Sequence, residues 1–263
     1  MKKISKQILK KILTPEQYNT LREIYFYQIK TRIYSNNLKE LAIIYGSDKW
    51  NPHWYTPHYQ RRFQSLRKKR LNILEIGVGE YGKPNKGGAS LRMWKRYFPY
   101  SRIYSIDIYD KSALQEDRIA IFRGNQADEK FLKDIYQQIG SLDIVIDDGS
   151  HVNSHVITSF KALFPLLNDN GIYVVEDTQT SYWPKYGKEQ YGGDSDNLNN
   201  PTTIMGFFKS LSDGLNHAEF IRPGYSPNYF DKHIVSMHFY HNLIFIYKGH
   251  NDEGSNIVRN NMF

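Results

Sequence analysis

From residue 71 onward, short apolar, β-branched runs alternate with amphipathic stretches. "LNILEIGV" (71–78), "RIYSIDI" (102–108), "IAIFRG" (119–124), "LDIVID" (142–147) and "GIYVVED" (171–177) read as strands. Between them "ASLRMWKRYF", "EKFLKDIYQQI" and "SHVITSFKALFPLL" place apolar positions at helical spacing. Such alternation predicts right-handed βαβ crossovers and an α/β fold, a doubly wound parallel sheet covered on both faces. The pattern then breaks into a polar loop, "KYGKEQYGGDSDNLNNP" (185–201), of a length suited to an active-site flap. A helix is expected around Thr203–Leu215. The final run, "HIVSMHFYHNLIFIYKG", holds two strands around a break at Tyr240–Asn242, an antiparallel hairpin at the sheet edge. No internal repeat is evident.

The first 60 residues follow a different rhythm. Residues 1–34 read as helix, with Ile4, Ile8, Leu9 and Ile12 on one face among lysines. "NLKELAIIYG" is a second helix stopped by Gly46, and "SDKWNPHWYTPHY" is a loop broken by Pro52 and Pro57. The organisation expected is an N-terminal helical, lid-like region over 1–60 and one larger domain over 61–263.

Composition narrows the chemistry. The 263 residues are 40% hydrophobic and contain no cysteine, so disulfides, zinc thiolates and cysteine nucleophiles are excluded, and a reducing cytoplasm is the natural home. No apolar stretch approaches the roughly 18 residues of a membrane span, and the basic N-terminus lacks the apolar segment and cleavage site of a secretory signal. Lysine plus arginine number 35 against 27 acids, a formal charge of +8 that suits an anionic partner. Much of the excess sits in "KKISKQILKKIL" and "RRFQSLRKKR", and such runs are usually solvated helix faces. The amphipathic first helix makes self-association, and so a homo-oligomer, reasonable. G-x-S-x-G, P-loop and EF-hand spacings are absent.

"LEIGVGEYG" places Glu75, Gly77 and Gly79 at the end of the first strand of the alternating region, where glycines let a ligand approach backbone amides. The next strand ends on Asp107, which can accept both hydroxyls of a ribose. Together they predict an adenosine-type cofactor. A dinucleotide fits poorly, because "EYGKPNKGGASL" interposes a Pro-containing loop where the G-x-G-x-x-G motif would lead straight into a helix. Glu75 instead suits a cationic cofactor, and the sulfonium S-adenosylmethionine (SAM) is the leading candidate.

Two strands end on paired carboxylates, Asp147-Asp148 and Glu176-Asp177. Ligands bind outside the carboxyl ends of such strands, so the pairs share the rim with the glycine loop. Acids gathered there repel unless a cation intervenes. With oxygen donors alone, Mg²⁺ (or Mn²⁺) is favoured over zinc. Side chains alternate along a strand, so not all four need point inward. Asp148, Glu176 and Asp177 are taken as ligands, leaving Asp147 to orient cofactor or loop backbone, a choice that leans in part on the resemblance described next. His151, three residues after Asp148, is placed to take the proton of a hydroxyl held beside the metal and is the expected general base. His155 is read as structural, since "HVNSH" lacks the glutamate of H-E-x-x-H.

In "YGSDKWNPHWYTPHY", "LEIGVGEYGKPNKGGASLRMWKRYFP", "QEDRI", "LDIVIDDGSHVNSHVITSFKALFPLL" and "GIYVVEDTQTSYWP", about half of the chain, the sequence resembles the metal-dependent sugar O-methyltransferases of macrolide biosynthesis, of the mycinamicin and tylosin type, within the class I SAM-dependent methyltransferases. The resemblance implies a seven-stranded sheet, SAM at the first two strand ends, Mg²⁺ on Asp148, Glu176 and Asp177, and His151 as base. It also implies Ser90 near the methionine carboxylate, Gln126 and Asp128 near the adenine, and Tyr55 and His58 closing over cofactor or substrate. The chain departs in lacking room for the large N-terminal region of some members, so subunit number and acceptor do not carry over. Its abundance of Lys, Asn, Ile and Tyr is unlike an antibiotic producer, and the acceptor expected is a small-molecule sugar, nucleotide-linked and destined for a surface polysaccharide. Two rivals are an RNA methyltransferase using the basic surface and a non-catalytic subunit of the same fold. Chelating carboxylates at the acceptor site argue against a polynucleotide, and the intact cluster and base argue against the second.

Overall fold

The protein is described from a computed structural model, in which residues 11–259, 261 and 262 are described. The expected amphipathic face at Ile4, Ile8 and Leu9 lies outside the described residues. The chain forms two compact units. The first runs to Lys69 and takes in Ala89–Tyr100, and the second comprises Arg70–Gly88 and the chain from Ser101 on.

The first unit is helical. Helix α1 (Pro15–Glu23) begins at a capping box, Thr14 with Gln17, and has proline at its first position, where no amide hydrogen is needed. Helix α2 (Leu38–Tyr45) is capped by Asn37 and ends at Gly46, whose φ of 72° is the left-handed conformation of a helix stop. Helices α3 (Thr56–Phe63) and α4 (Ala89–Tyr97) also belong to this unit. Its core is aromatic: Tyr59 meets Trp94 at 5.0 Å between centroids, and Phe63 meets Phe98 at 5.7 Å. All four rings are excluded from solvent.

The second unit holds the expected sheet. Strands β1 (Asn72–Ile76), β2 (Arg102–Asp107), β3 (Ile119–Arg123), β4 (Leu142–Asp147) and β5 (Leu167–Glu176) are parallel. The small strands β6 (Lys185–Tyr186) and β7 (Glu189–Gln190) pair only with each other inside the polar loop, and β8 (Ile234–Tyr240) and β9 (Leu243–Lys248) close the sheet as an antiparallel hairpin. The seven-strand order is β3-β2-β1-β4-β5-β9-β8, with β9 antiparallel to β5. Strand β4 lies between β1 and β5, and its Ile144, Val145 and Ile146 are all buried, which explains why it is an unbroken apolar run rather than an alternating one. Helix α5 (Glu129–Ile139) is capped by Asp128 and stopped by Gly140. Helix α6 (Asn153–Leu163) packs on β4 and β5, and Phe160 is its anchor, edge-on to Tyr173 at 5.1 Å and to Phe208 of α7 (Ile204–Leu211) at 4.8 Å. Burying each such ring contributes about 1.5–3 kcal/mol. No helix among the described residues is long and apolar enough to cross a membrane.

Candidate active site

Parallel register brings the strand ends level. Ile76 pairs with Ile106 and with Asp147, and Asp147 pairs in turn with Val175. The ladder continues into the loops: Gly77 N donates to Ile106 O (2.8 Å), Asp148 N to Ile76 O (3.0 Å) and Gly124 N to Asp107 O (2.9 Å). The glycine loop, Asp148 and Asp177 therefore follow strand ends that lie along one rim.

The glycine loop is shaped from beneath by two charged groups. Asp107, at the tip of β2, accepts from Val78 N (3.0 Å) through one oxygen and from Tyr109 N (2.9 Å) through the other, and it remains partly exposed. Gly77 has φ 100° and Gly79 φ 83°, conformations that side-chain-bearing residues rarely adopt. Glu75 is buried in β1. The second group, Lys111, was not singled out from the sequence. It is 1% exposed, and its ammonium donates to the carbonyls of Gly79 (2.7 Å), Lys83 (2.9 Å) and Lys86 (3.0 Å), gathering the loop around one buried charge. Charge-assisted bonds of this kind are roughly twice as strong as neutral ones.

At the ends of β4 and β5 the structure brings together Asp148, His151 and Asp177. One ligand atom from each lies within 4.8 Å of the others, the one such group among the described residues. His151 Nε2 is 3.6 Å from Asp177 Oδ2 and 4.0 Å from Asp148 Oδ1. The backbone works to place them: His151 has φ 55° and Asp177 φ 54°, left-handed conformations outside glycine that persist when surrounding structure enforces them. All three side chains are partly exposed, which leaves directions open to water and to a substrate oxygen. Two carboxylates held this close, with an open side, fit a hard dication. Glu176, the third expected ligand, is not in this trio. As the last residue of β5, paired with Leu243, it is buried at 2% exposure beside it.

Asp147 does not face the rim. Its carboxylate is 1% exposed and accepts from Gln126 Nε2 (3.1 Å), the Tyr173 hydroxyl (3.1 Å) and the Ser159 hydroxyl. Gln126, expected at the adenine, is occupied at both ends, because its Oε1 also accepts from Ser150 N (2.7 Å). Asp147 thus reaches the loop backbone through Gln126, bracing the segment that carries Asp148 and His151. Gly149 sits where a Cβ would lie 2.2 Å from Gln126 Oε1, so the bracket needs glycine there. Asp128 caps α5 through Phe131 N (3.0 Å) and is exposed. Burial pushes the Asp147 carboxyl up to about 6 from 3.8, against the opposing pull of its hydrogen bonds, and lifts the Tyr173 phenol well above 10. Raising a folded-state pKa gives stability that is complete below 3.8 and lost as pH climbs through about 6. In metal-free protein this one group is therefore expected to cost about 2 kcal/mol between pH 4 and pH 6.5. Urea unfolding of wild type and Asp147→Asn in EDTA checks this: the difference between them should slope with pH over that window, and a flat difference would refute it.

Ser90, Tyr55 and His58 belong to the first unit. Ser90 lies in the first turn of α4, Tyr55 is buried and stacks on His53 at 4.8 Å, and burial together with Arg62 and Arg61 lowers the pKa of His58. His155 Nδ1 meets Ser150 Oγ at 3.0 Å, and burial lowers its pKa.

A parallel five-strand sheet extended by a reversed hairpin, with a glycine loop after β1 and an acid at the tip of β2, defines a class I methyltransferase fold. Over 220 residues the chain is 48% identical to mycinamicin VI 2''-O-methyltransferase of Micromonospora griseorubida and 49% identical to demethylmacrocin O-methyltransferase of Streptomyces fradiae, covering 83% of this chain and 54% of each relative. It is 46% identical over 223 residues to the 8-demethyl-8-alpha-L-rhamnosyl tetracenomycin-C 2'-O-methyltransferase of Streptomyces olivaceus, covering 84% of this chain and 57% of the relative. Over the matched span the chain is thus a homologue of the macrolide and tetracenomycin sugar O-methyltransferases, and it spans about half the length of the curated relatives it matches. The MycE methyltransferase of the mycinamycin biosynthetic pathway, solved in complex with Mg and SAH, superposes with TM-score 0.79 at 48% identity over 83% of this chain and 55% of that one. The same enzyme with Mg, SAH and mycinamycin VI gives TM-score 0.78 at 42% identity over 92% and 64%. No family model matches the chain.

Proposed function

We propose that the protein is a SAM- and Mg²⁺-dependent O-methyltransferase acting on a sugar hydroxyl. The observation that carries this reading is the Asp148–His151–Asp177 cluster on the same rim as the glycine loop. The relatives' names, and Mg with SAH in the MycE structures, support it. Asp148 and Asp177 would hold the dication, with Glu176 beside them. Gly77, Gly79, Asp107 and Glu75 would cradle the donor. When bound, the sulfonium supplies an electrophilic methyl group and the dication lowers the pKa of an adjacent hydroxyl. The rest falls to the chain. Asp148 and Asp177 both lie near His151 Nε2, which would take the acceptor proton, and Asp147 with Gln126 braces that loop. The acceptor we favour is nucleotide-linked and bound for a surface polysaccharide. The charge surplus of +8, which suits a pyrophosphate, supports it.

The test is incubation with methyl-labelled SAM and a panel of nucleotide sugars and simple methyl glycosides, with Mg²⁺ or with EDTA. Label is expected in a sugar product with Mg²⁺ and is expected to vanish with EDTA. Absence of any metal-dependent sugar product would overturn the reading, and product from free glycosides alone would overturn the nucleotide-linked acceptor.

A further inference from the structure

The polar loop after Asp177 carries three aromatic rings. Trp183 is 41% exposed and Tyr186 71% exposed, their centroids 5.8 Å apart, and Tyr191 is partly buried 6.4 Å from Trp183. Exposed rings on a loop would normally be mobile, but this loop is tied at its base. Gly193 N donates to Trp183 O (3.0 Å), Asp194 N to Ser181 O (2.8 Å), and Ser195 Oγ to Tyr182 O (2.6 Å). The principal tie is Asn153, 1% exposed and two residues beyond His151. Its backbone N (3.0 Å) and Nδ2 (2.7 Å) both donate to Tyr191 O, Nδ2 also reaches Thr180 O (3.0 Å), and its Oδ1 accepts from Ile204 N (2.6 Å). Thr180 in turn donates to Asp177 O through Oγ1 (3.3 Å). A continuous hydrogen-bonded path therefore fixes the rings against both the His151 loop and the Asp177 turn.

We propose that Trp183, Tyr186 and Tyr191 form the acceptor subsite, a shelf on which the apolar face of a pyranose ring lies while its hydroxyls turn toward Asp148, His151 and Asp177. This rests on the sugar O-methyltransferase reading above. A pyranose is amphipathic, with C–H groups on its faces and hydroxyls at its edge, and a rigid aromatic platform beside a hydrophilic cluster matches both parts. Tyr191 is the ring tied most directly to the cluster, because its carbonyl accepts twice from Asn153, two residues beyond His151. Anchoring through Asn153 means the rings are ordered before substrate arrives, so less entropy is lost on binding.

The probes are methyl α-L-rhamnopyranoside and dTDP-L-rhamnose within the acceptor panel, chosen because one relative methylates a rhamnosyl glycoside. For the sugar that wild type methylates, W183A/Y186A is expected to raise acceptor KM at least tenfold, more than it lowers kcat, with SAH affinity by calorimetry unchanged. In wild type with Mg²⁺ and SAH that sugar should also quench tryptophan emission, and W183F should lose the quench. Y186A alone, at the most exposed ring, covers the case in which the double variant fails to fold, and should raise KM at least threefold. Unchanged acceptor KM in the folded variants, with wild type active, overturns the shelf and leaves the function standing. A wild type that methylates no sugar overturns the function and the shelf with it.

Discussion

Replacing His151 with alanine is expected to slow methyl transfer by about 10²–10⁴-fold, the usual worth of a positioned general base, while affinity for SAH and for Mg²⁺ stays within about twofold. Imidazole is the side chain suited to taking a proton near neutral pH. Its Nε2 lies 3.6 Å and 4.0 Å from two carboxylate oxygens, so the ring is held at the edge of the acidic pair. The same closeness allows another role: His151 is one of three side chains compact enough to ligate a metal. The two roles separate cleanly in measurement. A base lost leaves metal affinity intact and turnover poor even at saturating Mg²⁺. A ligand lost weakens metal binding, and added Mg²⁺ restores the rate. Asp177→Asn is the control for the second behaviour and should shift the Mg²⁺ requirement upward. If His151→Ala shifts it equally, and high Mg²⁺ rescues the rate, the imidazole is a ligand and the base lies elsewhere.

The parallel strands were legible because each is a short β-branched run bounded by a breaker, and a run such as "LDIVID" has little choice but to be buried on both sides. The hairpin was legible for the same reason, its turn falling at His241-Asn242 between Tyr240 and Leu243. What strand logic could not do was sort the carboxylates. Asp147 and Asp148 are adjacent, so one points into the core and the other to the rim, but which is which depends on where the ladder ends and the loop begins. Asp147 is consumed by Gln126, Tyr173 and Ser159, residues distant in sequence that no local pattern connects to it. Gln126 was matched to the adenine by resemblance, and only the folded chain shows its amide spent on Asp147 and Ser150. Lys111 was the least visible. In "IYDKSAL" it reads as a surface charge, and its meaning lies in three carbonyls 25 to 32 positions earlier that turn inward together only after the glycine loop has closed. A lysine whose ammonium is held by backbone carbonyls has no sequence signature.

The glycine loop packs directly against the backbone of Asp148, and Gly77→Ala is expected to show that the two loops act as one mechanical unit. A Cβ at Gly77 would sit 2.1 Å from the backbone carbonyl oxygen of Asp148 and 3.0 Å from its carbon, and the φ of 100° is itself strained for alanine. The obstacle is backbone, not a side chain that could swing away, and that backbone is held by Asp148 N on Ile76 O and by Ser150 N on Gln126. Strain of roughly 1–2 kcal/mol from the dihedral, added to about 1–3 kcal/mol of overpacking, gives an expected loss of about 2–5 kcal/mol, read from urea unfolding. The more informative readout is functional. Since relief requires the Asp148 loop to move away from β1, one methyl group placed in the donor loop should weaken Mg²⁺ binding as well as SAH binding, each by at least tenfold in protein that calorimetry shows to be folded. A residue serving the donor alone would leave metal affinity untouched. Loss of SAH affinity with unaltered Mg²⁺ affinity would therefore show that the two loops move independently, and that the close approach of Gly77 to Asp148 is packing without consequence for the metal.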